Sequence, residues 1–409
     1  MKYVIIGNSA AGISAVEGIR SVDAAGEIVV ISDEKFPVYG RPLISYYLLG
    51  MTDRARMNYR PADFYEKMGV NVLYGERAEH IDVAGKQVFL KSGKKVSYDK
   101  LLVATGSRPF DPPMEGIETV GEKFHFMSLQ DALDLEKALS KEKHALIIGA
   151  GLIGLKCLEG ILDRVKQVSV VDMAGRILPS ILDDAGAAIV QRELEAKGAE
   201  FYLSDSVKRF EGNTAHLVSG KTVAFDLLVV AVGVRPNVEL VKEAGGEVAR
   251  GIITDDHLRT SLQDVYAAGD CTESDDVSSG TRKILALLPN ATQQGFAAGV
   301  NMAGGDAAFG SAIPLNAIGF FGSHVLTAGS YTGESFTDAE GEKYRKFFVE
   351  GGVLKGFILV NAPERAGIYT SLVRNRTPLA GLDVARLETE PVLAAFPADM
   401  RKAMLSREV

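Results

Sequence analysis

The sequence has little cysteine, no long apolar run and an excess of negative charge, and each of these excludes a class of protein. Only two cysteines occur among 409 residues, so no disulfide framework holds the fold, and we expect a cytoplasmic chain. The longest apolar runs, such as "LLVVAV" and "ALIIGAGLIGL", are too short to cross a bilayer, and the first residues lack a signal-peptide pattern. The formal net charge of -8 argues against general binding to nucleic acid or to an anionic membrane.

Histidine is also scarce, and its placement predicts neither a metal centre nor a hydrolase. The six histidines show no spacing typical of metal ligands, so no metal site is expected. No arrangement of serine, histidine and acid is visible along the sequence either. Three basic groups remain, at 54–60, 344–346 and 374–376. They are candidates for a local docking patch, although such clusters more often form solvated surface.

The chain begins with a pattern of strand, glycine turn, helix and strand. The run "KYVII" predicts a strand, "AAGISAVEGIRSV" a helix and "EIVVIS" a second strand. The turn from Gly7 to Gly12 matches the dinucleotide-binding pattern G-x-G-x-x-G, except that Ser9 replaces the central glycine. Serine adds only a hydroxymethyl group, and its hydroxyl can donate a hydrogen bond to phosphate. We therefore expect this turn to hold a pyrophosphate.

An acid suited to a ribose follows the second strand. Asp33 lies 21 residues after Gly12, which is the spacing of the acid that accepts hydrogen bonds from an adenosine ribose. Glu34 is a nearly equal candidate at this point. Strand, turn, helix and acid together predict a nucleotide-binding unit, which a glycine pattern alone would not.

The same pattern recurs in the middle of the chain. The run "ALIIGAGLIGLKC" carries Gly149, Gly151 and Gly154 after a buried strand, and Asp172 ends the next strand. In both halves a predicted hairpin and a buried strand follow, ending in "ATG" or "AVG". This repetition predicts two nucleotide-binding domains of common design. The run "DVYAAGDC" adds a strand ending at Gly269, and "YRKFFVEGGVLKGFILVN" predicts an antiparallel hairpin in a third domain.

The motifs together resemble a known family. The double glycine pattern, "LLVATGSRP", "LLVVAVGVRPN" and "VYAAGDC" resemble the FAD-dependent pyridine nucleotide-disulfide oxidoreductases from Lys2 to about Pro378. The runs "IIGNSAAGISA", "GAGLIGLK" and "NAIGFFGSHVLTAG" are similar to the branch of NADH:rubredoxin reductases and the flavin portion of NADH-dependent nitrite reductases. The resemblance implies an α/β fold with two Rossmann-like domains of glutathione-reductase type and a smaller α+β C-terminal domain. The expected domains are FAD-binding at 1–109 and 238–308, NAD(P)H-binding at 110–237, and C-terminal at 309–409.

The resemblance also implies which residues contact the two cofactors. Asp270 is expected to hydrogen-bond the ribityl chain, and the helix that starts near Leu288 to abut the flavin pyrimidine. Arg41 matches an arginine placed along the FAD, with a surface salt bridge as the alternative reading. The expected cofactor-binding residues are Gly7, Ser9, Ala10, Ala11, Gly12, Asp33, Glu34, Arg41, Ala78, Ala104, Thr105, Gly106, Asp270, Leu288, Pro289, Asn290, Gly149, Gly151, Leu152, Ile153, Gly154, Asp172 and Gly233.

Many members of this family carry a redox-active cysteine on the first helix that faces the flavin. The corresponding run here, "RPLISYYLLG", has none. Cys157 and Cys271 are expected to be buried small hydrophobes. Lys156 stands where many relatives have glutamate, and Glu159 lies one turn further along the helix. Lys156 is the candidate catalytic residue, and a purely structural role for it is an equal alternative.

These expectations leave the cofactor to supply the redox chemistry. The leading hypothesis is an FAD-dependent enzyme that passes electrons from NADH to a small carrier of rubredoxin or ferredoxin type. The alternatives are an NADH oxidase that uses oxygen, and a flavoprotein whose redox state controls binding to a partner. We expect NADH rather than NADPH because Asp172 would repel a 2′-phosphate, although Arg176 could attract one. The oligomeric state stays open.

Overall fold

The structure is a computed structural model, and it describes residues 1–389 and 391–406. These residues form two units. The first consists of 1–178, 195–274 and 282–310, and the second of 179–194, 275–281 and 311–409. Both glycine turns lie in the first unit. The expected domain boundaries near residues 109, 237 and 308 stay a prediction, and residues 390 and 407–409 of the expected C-terminal domain lie outside the described residues.

The first 109 residues form a parallel sheet with a small antiparallel sheet beside it. Strands β7, β1, β2 and β3 pair in parallel in that order, and β4, β5 and β6 pair antiparallel. The sequence predicted the hairpin of β5 and β6 but missed β4. The elements are β1 (Lys2–Ile6), α1 (Ala10–Val22), β2 (Glu27–Ser32), α2 (Leu43–Leu48), α3 (Phe64–Lys67), β3 (Val70–Tyr74), β4 (Ala78–Asp82), β5 (Gln87–Leu90), β6 (Lys95–Ser97), β7 (Lys100–Val103) and β8 (Ser107–Pro109).

Residues 110–237 repeat this arrangement. The elements are β9 (Lys123–Phe124), α4 (Leu129–Ala138), β10 (His144–Ile148), α5 (Leu152–Ile161), β11 (Gln167–Asp172), α6 (Asp184–Ala196), β12 (Ala199–Leu203), β13 (Val207–Glu211), β14 (Thr214–Leu217), β15 (Thr222–Ala224), β16 (Leu227–Val230) and β17 (Val234–Pro236), with 3-10 turns at Ile117–Thr119 and Leu162–Arg164. The parallel order is β12-β11-β10-β16-β9, β13 to β15 pair antiparallel, and β17 pairs antiparallel with β8.

The chain then returns to the first sheet. Strand β18 pairs in parallel with β7 and completes the order β18-β7-β1-β2-β3. The sheet is therefore built from two separate stretches of chain. The elements after β17 are α7 (Glu239–Glu243), β18 (Val265–Ala267), β19 (Ser274–Asp276), β20 (Thr281–Lys283) and α8 (Leu288–Met302).

The second unit is built on an antiparallel sheet of order β21-β22-β25-β24-β23. Its buried core includes Phe357, Leu359, Tyr369 and Leu372. The predicted hairpin is formed by β24 and β25. Together with the two parallel sheets of the first unit, this sheet and its helices confirm the expected fold of two Rossmann-like arrangements plus an α+β part. The elements are β21 (Leu315–Phe320), β22 (Ser323–Gly329), β23 (Glu334–Glu340), β24 (Lys343–Glu350), β25 (Val353–Val360), α9 (Ala366–Arg374), α10 (Val384–Thr389) and α11 (Ala398–Leu405), with a 3-10 turn at Leu393–Ala395.

None of the helices within residues 1–389 and 391–406 combines the length and the apolar character that crossing a bilayer requires.

Helices α1 and α8 pack backbone against backbone. A Cβ added at Gly295 would lie 2.0 Å from the carbonyl oxygen of Ala11, and one at Gly299 would lie 2.2 Å from that of Ala15. A Cβ added at Gly18 of α1 would lie 2.2 Å from the carbonyl oxygen of Phe296. Only glycine allows so close an approach, because any side chain would overlap the opposite backbone. The crossing therefore fixes how the two helices lie against each other.

The substitution Gly299→Ala tests this contact. Because the added methyl group meets backbone rather than a side chain that can turn aside, we expect a destabilisation of about 1–3 kcal/mol, as for other overpacked cores. The measurement is the free energy of unfolding from urea denaturation followed by circular dichroism. Gly367→Ala in α9 is the control, since a Cβ there meets nothing within 4 Å and should change stability by at most about 1 kcal/mol in the favourable direction. Equal stability of the two variants would contradict the close packing.

Candidate functional site

The first glycine turn joins β1 to α1 and is shaped by its two outer glycines. Gly7 has φ of +122°, and a Cβ added there would lie 2.1 Å from the carbonyl oxygen of Ala104. A Cβ at Gly12 would lie 2.0 Å from the carbonyl oxygen of Gly7. Ala104 also donates its backbone N–H to Ile6 O at 2.8 Å. The turn is therefore held against the end of β7, and both glycines are required by shape.

The second turn shows what the middle position needs. Gly149 and Gly154 repeat the close approaches, with added Cβ atoms 2.3 Å from Ala231 O and 1.9 Å from Gly149 O. Around Gly151, by contrast, a Cβ would find no heavy atom within 4 Å in the part of the chain that the structure describes. The middle residue faces open space, which is where a backbone-bound pyrophosphate would lie. Ser9 occupies the equivalent position in the first turn, so its small side chain should fit there without a steric clash.

The two helices that begin at the glycine turns, and helix α8, have no acidic residue in their first helical turn. Ser9 is the N-terminal capping residue of α1 and Gly151 that of α5, and α8 begins at Leu288. None of the three has Asp or Glu in its first turn. The amide N–H groups and the positive end of each helix dipole are thus left without a neighbouring acid on the helix, which suits an anionic ligand. Ala10 and Ala11 in α1, and Leu152 and Ile153 in α5, are the first residues of the two helices.

Arg41 connects the first turn to the end of β2. Its guanidinium forms an ion pair with Glu34 and donates to Ser9 Oγ at 3.3 Å and to Met127 O at 3.3 Å. Glu34 also accepts a hydrogen bond from Tyr39 at 2.7 Å. The alternative reading of Arg41 as a salt bridge is thus partly right, but the same side chain also reaches the turn.

The two acids after β2 differ in their surroundings. Glu34 is engaged by Arg41 and Tyr39, whereas Asp33 is exposed and interacts with the Arg41 charge without a hydrogen bond to it. A carboxylate that must accept hydrogen bonds from a ribose needs free lone pairs. Of the two candidates that the sequence left open, Asp33 is therefore the one whose acceptors are available.

Asp172 at the end of β11 is placed differently from Asp33. Its carboxylate accepts the backbone N–H of Ala150, inside the second turn, at 2.6 Å and that of Ala174 at 2.7 Å. These bonds use one lone pair on each oxygen, and a carboxylate can accept about four hydrogen bonds. Asp172 thus ties the strand end to the turn and keeps capacity for a further donor.

The "ATG" turn after β7 is joined to the connection that returns from the second sheet. Thr105 donates its hydroxyl to Asn237 O at 2.8 Å, and Asn237 donates its side-chain amide to Thr105 O at 2.8 Å. Gly106, with φ of +62°, accepts the backbone N–H of Asn237 at 2.9 Å. Gly233 of the "AVG" turn has φ of +113° and open space around it. The side chain of Thr105 therefore bonds to the protein itself, and these bonds hold the turn against the returning connection.

Asp270 follows β18 beside the first turn. A Cβ added at Gly269 would lie 3.1 Å from the Cβ of Ala11, so the Gly269–Asp270 turn packs against α1. Burial raises the pKa of the Asp270 carboxyl, and the positive charge of Arg41 and the Ser107 hydroxyl, 3.5 Å away, act in the opposite direction. Asp270 is thus a partly desolvated acid beside the predicted pyrophosphate turn.

The other expected residues of the first half are more scattered. Leu288, Pro289 and Asn290 form the first turn of α8, where Leu288 is 37% exposed and Asn290 is buried. Ala78 lies in β4, opposite Leu90 of β5, and belongs to the antiparallel sheet rather than to the parallel one. The structure thus brings most of the expected residues to the carboxyl end of the first sheet, with Ala78 on the small sheet.

Lys156 is a residue of α5 and lies at the contact of this helix with α2. It forms the ion pair with Glu159 that the i+3 spacing predicted, and both side chains are largely buried. The ammonium nitrogen also lies 4.5 Å from the centroid of the Tyr46 ring in α2, a favourable cation–π arrangement. The two helices approach at Gly160, where an added Cβ would lie 3.2 Å from the Cβ of Leu48. A buried positive charge is therefore fixed at this helix contact.

Both cysteines are free and fully buried. Cys271 donates its thiol to Val103 O at 3.5 Å and to Ala268 O at 3.4 Å. Burial raises the pKa of Cys271 to about 11, and that of Cys157 further, so neither forms a thiolate readily. Helix α2, which corresponds to the helix that carries a redox-active cysteine in many family members, contains no cysteine.

The basic cluster at 54–60 is weaker than its sequence indicates. Arg60 forms two hydrogen bonds with Glu17, at 2.7 and 2.8 Å, and Arg56 pairs with Asp53 at 2.8 Å. The Arg54 guanidinium lies 5.2 Å from the centroid of the Phe36 ring. Nearby acids thus compensate two of the three arginines.

A serine, a histidine and an acid do meet in the structure, which the sequence did not reveal. His144 Nε2 lies 2.9 Å from Ser169 Oγ, which donates to Glu200 at 2.9 Å. Ser169 is fully buried and directs its proton to the acid rather than to the imidazole. The order is therefore wrong for a nucleophilic serine, and the three residues stabilise adjacent strands.

One further group of side chains could hold a metal ion by proximity, namely Asp255, Asp256 and His257. Both imidazole nitrogens of His257 are engaged, one with Asp256 at 2.6 Å and the other with Asp306 at 2.7 Å. The group is mostly exposed, and its members already pair with one another.

Sequence reasoning missed several residues of the site. Ser107, Asn237 and Gln294 hold the turns in place through side-chain hydrogen bonds, and Tyr46 covers Lys156. Asn237 stands directly after the "GVRP" turn, which could have drawn attention to it. The others carry no local signal, because their partners lie far away in the sequence.

Comparison with known proteins identifies the family of this chain. The family model described as pyridine nucleotide-disulphide oxidoreductase matches residues 1–295. The chain is 33% identical to the NADH-dependent phenylglyoxylate dehydrogenase subunit epsilon of Aromatoleum evansii, over 93% of each chain. It is 31% identical to a rubredoxin-NAD(+) reductase of Pseudomonas putida, over 72% of this chain and 78% of that one.

Among solved structures, an NAD-dependent persulfide reductase from A. fulgidus has a TM-score of 0.87 at 27% identity, covering 99% of this chain and 83% of that one. This likeness extends over both units of the chain, and the family model spans both glycine turns and Asp270. The chain therefore belongs to the pyridine nucleotide-disulphide oxidoreductase family, as its motifs predicted, and is an oxidoreductase.

Proposed function

We propose that this oxidoreductase binds FAD at the first glycine turn and NADH at the second, and passes electrons to a small carrier protein of rubredoxin or ferredoxin type. The observation that carries the proposal is the pair of turns with the same tight outer glycines and open middle positions, combined with an α2 that has no cysteine. The names of the relatives, an NADH-dependent dehydrogenase subunit and a rubredoxin reductase, support it.

The residues of the first half fit FAD. The N-terminus of α1 and Ser9 would bind the pyrophosphate, Asp33 has free acceptors for the ribose, and Asp270 would accept a hydrogen bond from the ribityl chain. Helix α8 gives this half a second helix N-terminus, at Leu288, which favours negative charge on a ligand.

The residues of the second half fit NADH. The N-terminus of α5 would bind its pyrophosphate at Gly151, and Asp172 would accept the 2′-hydroxyl of the adenosine ribose. Because the backbone N–H groups of Ala150 and Ala174 hold the Asp172 carboxylate, it cannot turn away from a 2′-phosphate. The resulting repulsion would exclude NADPH.

The chain's own residues control how electrons leave. A bound flavin supplies the redox chemistry, taking an electron pair from reduced nicotinamide and releasing electrons singly. Lys156 is our candidate catalytic residue, since Glu159 and Tyr46 fix its charge at the contact of α5 with α2. Because Cys157 and Cys271 are buried and protonated, electrons would pass directly to an external acceptor.

Free thiols also suit a reducing compartment, so we propose that the enzyme works in the cytoplasm.

The acceptor is tested by anaerobic reduction followed by mixing. The purified protein should contain FAD and take up a single electron pair per flavin from NADH. After reduction it should react quickly with rubredoxin or ferredoxin and slowly with oxygen in stopped-flow measurements. The carrier rate should fall with added salt, since such carriers are commonly acidic, while reduction by NADH changes less. Faster reaction with oxygen would make the chain an NADH oxidase, and slow reaction with every acceptor would favour a redox-dependent binding protein.

Nucleotide preference is tested by steady-state kinetics with NADH and NADPH. We expect kcat/KM to favour NADH at least tenfold, about 1.4 kcal/mol. Asp172→Asn removes the charge at nearly constant size and should narrow that ratio. Asp163→Asn, at an exposed acid beyond the far end of α5, changes the net charge equally and should leave the ratio unchanged. A wild-type enzyme that uses NADPH equally well would mean that Arg176 dominates over Asp172.

The role of the thiols is tested by replacing both. The double variant with Cys157→Ala and Cys271→Ala should take up the same single electron pair from NADH as the wild type, because neither thiol is placed to exchange electrons. The native wild-type protein should also react slowly with a thiol reagent at pH 8, and quickly once unfolded in urea. Uptake of a second pair by the wild type, and its loss in the variant, would reveal a redox-active thiol.

A further inference from the structure

Gln294 on α8 is a buried amide whose side chain reaches the turn that carries Asp270. Its side chain is 2% exposed. Its Oε1 accepts the backbone N–H of Gly269 at 2.6 Å, and its Nε2 donates to Ser274 Oγ at 2.5 Å. The Gly269 N–H can only donate, so the orientation of the amide follows from this bond. Both hydrogen-bonding ends of Gln294 are thus used on the segment around Asp270.

The segment that Gln294 holds is a tight turn. Gly269 has φ of +86°, and its carbonyl accepts the backbone N–H of Thr272 at 2.9 Å and the Thr272 hydroxyl at 2.8 Å. The Thr272 hydroxyl also lies 3.3 Å from Gln294 Oε1. The turn therefore has hydrogen bonds within itself and a further bond from its first N–H to α8.

Packing limits where the turn can lie, but it does not fix the orientation of its peptide planes. A Cβ at Gly269 would contact Ala11 of α1 at 3.1 Å and Ala291 of α8 at 3.8 Å. Apolar contacts of this kind limit the space but not the rotation of the peptide plane. The hydrogen bond from Gly269 N–H to Gln294 fixes the peptide plane between Ala268 and Gly269, and Thr272 holds the next peptide through the Gly269 carbonyl. Together these bonds set the direction in which the Asp270 side chain leaves the backbone.

We propose that Gln294 is a positioning residue that sets the Gly269–Asp270 turn for binding FAD. This rests on the proposed function, in which Asp270 contacts the ribityl chain. Gln294 does not itself touch the cofactor in this proposal. It acts through the peptide between Ala268 and Gly269, at the start of the turn, and it ties that peptide to the same helix whose N-terminus would face the flavin.

Helix α8 offers a matched control for the loss of a buried amide. Asn301, two turns further along, is 4% exposed. Its amide bonds His257 O at 2.9 Å and both the carbonyl and the N–H of Ala307 at 2.8 Å. These bonds hold the end of α8 that lies away from the turn. Asn301→Leu therefore removes a comparable number of buried hydrogen bonds from the same helix without touching Gly269.

The experiment measures FAD affinity and stability separately. Apoproteins of the wild type and of each variant are titrated with FAD by flavin fluorescence, and each melting temperature is recorded. Gln294→Leu leaves a buried N–H without a partner and should raise the Kd for FAD about tenfold. Gln294→Glu keeps the acceptor, and in its protonated form also the donor, so it should stay close to the wild type. Asn301→Leu should lower the melting temperature and leave the Kd unchanged.

Several results would overturn the inference. Gln294→Leu with the wild-type Kd would do so, as would an equal loss of affinity in Asn301→Leu or in Gln294→Glu. Should Gln294→Leu not fold, Gln294→Asn keeps a buried amide but is too short to reach Gly269, and it should weaken FAD binding in the same way. A wild-type apoprotein that does not bind FAD would instead contradict the proposed function, so the two failures are distinguishable.

Discussion

The contact between α1 and α8 is the constraint on which the site depends, because it fixes the helix that begins at the first glycine turn relative to the helix that begins at Leu288. At Gly18, Gly295 and Gly299 the two helices approach until backbone meets backbone. One of these helices begins at the first glycine turn and the other at Leu288, more than 270 positions later in the chain. An anionic cofactor that spans both N-termini therefore requires this crossing. The Gly269–Asp270 turn is packed into the same contact, against Ala11 and Ala291.

The two nucleotide-binding halves share a design but use their acids differently. In both, the outer glycines are required because a Cβ would strike a carbonyl oxygen about 2 Å away, while the middle position is open. In the second half Asp172 hydrogen-bonds the turn itself. In the first half Arg41 instead links the turn to the end of β2, because it bonds both Ser9 and Glu34. The carboxylate oxygens of Asp33 are thus left to accept hydrogen bonds from a ligand. The serine in place of the central glycine thus adds a hydrogen-bonding partner for Arg41.

The absence of a thiol on α2 leaves room for a different arrangement at the same helix. Tyr46 lies over Lys156, whose charge is compensated by Glu159. Tyr47 of the same helix donates to Glu136 at 2.7 Å, and Arg164 links Glu136 to the carbonyl of Leu48, each at 3.2 Å. Polar contacts thus fasten α2, which belongs to the first half, to helices of the second half.

The sequence by itself determined the two parallel sheets and their helices, because their signals are local: apolar strands, helical spacing and glycines at fixed intervals. It also determined the position of Asp172, the pairing of Lys156 with Glu159, and the burial of both cysteines, since each follows from neighbours within a few residues or from composition. The sequence did not reveal β4 and β13, whose alternation is broken by a shift in pairing register.

Only the tertiary structure decided which acid after β2 is free, because Glu34 is engaged by Arg41 and Tyr39. It also decided that Arg56 and Arg60 are compensated, that Ser169 meets His144, and that Gln294 holds the Asp270 turn. The physical reason is the same in most of these cases. A side chain's hydrogen bonds and ion pairs go to whichever groups the fold brings within about 3 Å, and most of those groups lie too far away in the sequence for any local pattern to indicate them.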